Sequence, residues 1–145
     1  MIHVRNVGGA VLGWVVMAGT VFLLFAGLWA ILGADGAFRP GSWEVSGTWL
    51  AGSIVVSLLA AVVGGVVCTW VSADDRGLLM LMALIVVLGV AMALASVPAA
   101  EGVRPAAVGM PEAMNSAQEP RWLAWLNPLL GIAGLFAGSR LVRNR

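Results

Sequence analysis

Tyrosine is absent from the chain, and histidine and cysteine each occur once. A lone Cys68 can build neither a disulfide framework nor a thiolate metal cluster within one chain. Its setting, "VVCTW", is that of a small packing residue. With no Cys-x-x-Cys, quinone-linked thiol oxidation of the four-helix oxidoreductase type is excluded. His3 stands alone at the start of the chain. That argues against internal His-ligated haem or chlorophyll, and, with His3 expected on the inner side, against a Ser–His pair with the outer residues. There is no Gly-rich phosphate loop. Charge is scarce too, at 10% of residues against roughly 25% in ordinary soluble domains. The net charge of +1 gives no reason to expect nucleic acid as a partner. The expectation is a non-enzymatic chain with no cofactor and no metal.

What is present is apolar sequence: 61% of the 145 residues are hydrophobic. That places the chain in the membrane class. About 20 apolar residues cross a hydrocarbon core, and four stretches are long enough: about 7–33, 47–71, 77–97 and 122–142. The first is too long for the apolar core of a signal peptide, so it is expected to be retained. No span has an ionisable residue in its central part, which disfavours a proton-coupled exporter. The predicted fold is all-α: one domain over residues 1–145, an integral bundle of four transmembrane helices. Outer loops are expected at 34–46 and 98–121.

Arginine placement orients the bundle. With the N-terminus inside, the inner side carries Arg5, Arg76, Arg140, Arg143 and Arg145 against Asp74 and Asp75. The outer side carries Arg39, Arg104 and Arg121 against Asp35, Glu44, Glu101, Glu112 and Glu119. Both termini are therefore expected in the cytoplasm. Asp74 and Asp75 suit the start of the third helix, where carboxylates cap free N–H groups and face the positive dipole end. A metal or substrate role for the pair is the sharper alternative.

Between helices in a bilayer, close backbone approach replaces the hydrophobic drive. The second span has small residues at four-residue spacing: Ser53, Ser57, Ala61, Gly65 and Thr69. The fourth has Gly134 and Gly138. These are the candidate packing residues, and they put the second helix centrally. Gly65 should reject a bulky side chain, and Val62, off the stripe, should accept one. Asn127–Pro128 is a candidate kink, because Pro128 frees a carbonyl one turn back. Asn127 is alternatively a polar point in a ligand pocket.

Two outer segments remain. In "GADGAFRPGSWEVSGTW", Gly33 and Gly36 are expected to end the first helix, Pro40–Gly41 to turn, and Ser46 or Thr48 to cap the second. Arg39 can pair with Asp35 or Glu44. The longer "PAAEGVRPAAVGMPEAMNSAQEPRW" is broken by prolines, and a short interfacial helix is predicted between Pro111 and Pro120. Trp29, Trp43, Trp49, Trp122 and Trp125 fall near the outer interface, where indole rings favour the headgroup level. The sharper reading is an aromatic recess. Arg39, Trp43, Glu44, Trp49, Glu112, Asn115, Trp122 and Trp125 are the candidate partner or ligand surface.

The stretches "GADGAFRPGSWEVS", "AAVVGGVVC" and "PEAMNSAQEPRWLAWLNPLLG" resemble a group of small four-helix bacterial inner-membrane proteins that carry no assigned function. The resemblance implies a bacterial inner membrane and no chemistry. Three functions stay open. The first is a structural or accessory subunit of a membrane complex, with lipids and other subunits, or itself, as partners. The second is a small homo-oligomeric transporter or channel for a neutral or amphipathic solute. The third is a periplasm-facing lipid or small-molecule binder or sensor.

Overall fold

Helix-breaking residues divide the described part of the chain into five helices. The computed structural model describes residues 1–95 and 102–144. They form α1 (Ile2–Ala37), α2 (Gly47–Val71), α3 (Arg76–Leu94), α4 (Met110–Ser116) and α5 (Arg121–Arg143). All but α4 are long and apolar enough to cross a membrane. Among the described residues there is no β-strand, only two isolated bridges in the loops. The expected end of the third span at Val97, with Pro98, Glu101 and Arg145, lies outside the described residues.

Local chemistry accounts for the helix ends. Ser46 caps α2, its hydroxyl accepting from the Trp49 N–H at 3.1 Å; Thr48 does not hold that position. Asp74 accepts from the Arg76 N–H at 2.9 Å at the head of α3. Pro111 sits in the first turn of α4, where its missing N–H costs nothing. Arg140 and Arg143 occupy the last turn of α5, at the negative end of its dipole.

Gly36 does not end α1, whereas Gly33 interrupts it as expected, without being its last residue. The helix starts at Ile2, because the polar opening contains no breaker, and it resumes after Gly33 for one more turn to Ala37. Gly33 is the kink, at φ 60° and ψ −173°, a conformation a residue with a Cβ rarely adopts. By contrast α5 is helical throughout, including Asn127 and Pro128. The Pro128 ring is buried and seated on Gly89 of α3, where an added Cβ would lie 3.2 Å from the proline Cβ. Asn127 is exposed.

Around the bundle the order is α1, α2, α5, α3, with α2 also touching α3 across the short diagonal. Two neighbouring stripes on α2 make this possible. Gly64 and Cys68 face α1: a Cβ on Gly13 would lie 2.9 Å from the Gly64 carbonyl oxygen and 2.8 Å from the Cys68 Cβ. Ala61 and Gly65 face α5, where Gly65 lies directly against the Leu135 backbone and a Cβ on Gly134 would come within 2.9 Å of the Leu58 carbonyl oxygen. Gly138 meets the Val62 backbone in the same way. Ser53 is also buried, and Ser57 and Thr69 are half-buried. Leu81 and Leu135 fill the space between, with Ala10, Leu78 and Ile85 around them.

One polar residue fastens an end of this bundle. Asn6, in the second turn of α1, is wholly buried. Its carbonyl accepts from the Ala73 and Asp74 N–H groups at 3.0 and 3.3 Å. Its amide donates to the Asp74 carboxylate at 2.7 Å. The α2–α3 turn is thus tied to α1, and Asp75 ties it to α5 through Arg143. The Asp pair is occupied by structural contacts.

Because the Gly65 contact is with backbone, no rotamer change can relieve a larger side chain. Gly65→Leu is expected to cost about 3 kcal/mol or more, the upper range of overpacking. Val62 is half-buried, so the exposed neighbour Val63 is the cleaner control. Val63 is exposed, so Val63→Leu should change stability by less than about 0.5 kcal/mol. Reversible unfolding in mixed micelles measures both.

Candidate partner surface at the loop end

Beyond Ala37 the chain turns back on itself. Pro40 and Gly41 form the turn, closed by the Ser42 N–H on the Arg39 carbonyl at 3.1 Å, with Gly41 at φ 66°. Positive φ at this third turn position is a glycine property, and proline suits the second. The returning segment pairs through the Arg39 N–H to the Glu44 carbonyl at 2.9 Å and the Ser46 N–H to the Ala37 carbonyl at 2.8 Å. The Arg39 guanidinium meets Glu44 at 2.9 Å. Both side chains are exposed, so this pair adds at most about 1 kcal/mol.

The second loop lies against the first. Gln118 donates to the Trp43 carbonyl at 2.9 Å and accepts from the Val45 N–H at 3.3 Å. Ala113, on α4, enters a small core with Ala37, Phe38, Trp43 and Val45. The two loop segments therefore form one layer, with "PEAMNSAQEP" as one half of it.

Arg104 holds this layer together. Its side chain is 4% exposed, and it donates to Asp35 at 3.0 Å and to the Pro105 carbonyl at 3.2 Å. The guanidinium lies 5.6 Å over the Phe38 ring, and the Arg104 N–H reaches the Gly41 carbonyl at 3.3 Å. A buried guanidinium needs partners for its donors. Asp35 is 92% exposed, so water weakens the pair, and the Arg104 Nε has no hydrogen-bond partner among the described residues. What Arg104 supplies is position: its side chain reaches Asp35 of α1 and the Phe38 ring, and its backbone N–H holds the first turn at Gly41.

The tryptophans divide into two groups. Trp43 is buried at 7% exposure, so it is a core residue of the layer and not an interfacial anchor. Phe38 packs on it edge-on at 5.8 Å. Trp29 and Trp49 are half-buried beneath, edge to face at 6.1 Å, and Phe25 extends the stack. Trp122 and Trp125 are exposed on α5. Trp43 is thus withdrawn from the surface, Trp29 and Trp49 are partly covered, and Trp122 and Trp125 remain open. Of the remaining candidates, Arg39, Glu44, Glu112 and Asn115 are exposed. Sequence reasoning missed Phe38 and Arg104. Arg104 carried no signal beyond its place before Pro105.

Glu119 adds a titration to the layer. It keeps an exposed flank, yet burial of its carboxyl raises the pKa above the ordinary 4.5, and a hydrogen bond with Trp49 pulls it partly back. A raised folded-state pKa means that the native chain holds the proton more tightly. That stability is present below the unfolded value and is lost as pH rises through the folded one. Glu119→Gln should match wild type in acid and become the more stable protein as pH rises above 4.5, with thermal unfolding followed from acid to neutral pH. A separate outcome is expected for Arg104→Met. Amides of residues 38–46 and 110–118 should exchange roughly fivefold faster, from a loss of about 1 kcal/mol. Amides of α2 and α5 should be unchanged.

Compared with known proteins, the chain matches no family model, no curated protein and no solved structure.

Proposed function

We propose that the protein is a non-catalytic accessory or structural subunit of a larger membrane assembly, using α1 as its lateral contact. The observation behind this is the uneven burial of α1. The helix is buried at Asn6, Gly9, Ala10 and Gly13, and again at Ala37. No residue from Trp14 to Gly36 is buried. Along that stretch a Cβ at Gly19 or Gly27 would meet nothing, while Ala26 and Ala30 are exposed beside them. Glycine gives up backbone entropy in a helix and has no side chain to offer lipid. It is useful where another helix comes close, as in the contacts that Gly13 and Gly65 already make.

The orientation follows from charge. The end holding the α2–α3 turn carries Arg5, Arg76, Arg140 and Arg143 against Asp74 and Asp75. The loop end carries Arg39, Arg104 and Arg121 against Asp35, Glu44, Glu112 and Glu119. The positive-inside tendency puts the first end, with both termini, in the cytoplasm. The resemblance to small bacterial inner-membrane proteins supports that membrane, and the loop layer would then face the periplasm as a second contact surface.

Mild extraction followed by native mass measurement tests this. The expected species is heavier than the 15.0 kDa chain by at least one further membrane subunit. Gly19→Leu with Gly27→Leu should remove that subunit while leaving the unfolding midpoint of the chain unchanged. A bare monomer under several mild extractions would overturn the reading.

A further inference from the structure

We draw no further inference here: the strongest candidate, the polar notch of about 200 Å³ at the α2–α3 turn lined by Thr69, Ser72, Asp74, Asp75 and Arg143, carries nothing, because its carboxylates already serve the contacts with Asn6, Arg76 and Arg143 and the unpartnered Thr69 hydroxyl, on a half-buried residue, does not select a ligand.

Discussion

The fold depends on how closely the α2 backbone can approach two neighbours at once. Lipid chains are as apolar as leucine, so burying leucine gains little between helices in a bilayer. What remains is dispersion between well-fitted surfaces, and each atom pair contributes only about 0.1–0.2 kcal/mol. Many pairs are needed, and they become available only when side chains do not hold the backbones apart. Gly64 and Gly65 are adjacent in sequence and serve different partners, α1 and α5. One pair of glycines thus fixes the positions of three helices. Leu81 and Leu135 then fill a space whose size is already set.

Dispersion alone does not fix register along a helix pair, and the two ends of the bundle supply it through polar groups. At one end Asn6 satisfies two backbone donors and one carboxylate. A slip of α1 by one turn would bury that amide without partners, at about 1–3 kcal/mol. At the other end Arg104 is buried under the loop layer. Both residues lie away from the middle of the spans. A buried polar group is least costly near helix ends, where free backbone donors and acceptors concentrate. Polar residues thus set the register, and small residues set the spacing.

How much of this could be read in advance depended on the range of the interaction. The helices were legible because apolar length and prolines act locally; so were the Ser46 cap and the Pro40–Gly41 turn. The Ala61–Gly65 stripe was visible as a repeat. Its neighbour at Ala60, Gly64 and Cys68 was not singled out, although all three are buried. A helix packed on two sides shows two overlapping four-residue periods, and picking one hides the other. Trp43 was misplaced because its composition suits an interface and a core equally well. Burial came from Gln118 and Ala113, some seventy residues away, and no local pattern reports that. Arg104 was opaque for the same reason: its value lies in Asp35, Gly41 and Phe38, which only the folded chain brings to it.

The uneven use of α1 follows from these same contacts. Its first four turns are held by Asn6, Gly9 and Gly13, and its last by the loop layer at Ala37. In between, α2 covers one side of the helix, as where Leu28 meets Gly52. Toward the loop end, α3 follows α5 through the Gly89–Pro128 contact, and α5 stands at the corner opposite α1. A helix pinned at both ends cannot turn its free flank inward. That flank must be met from outside, by lipid or by another helix. A face selected only against lipid gains from large, flexible apolar side chains. Beside the exposed Phe22, Leu23 and Ile31 it also has small residues at Gly19, Ala26, Gly27 and Ala30, which bring the backbone within reach of a neighbour.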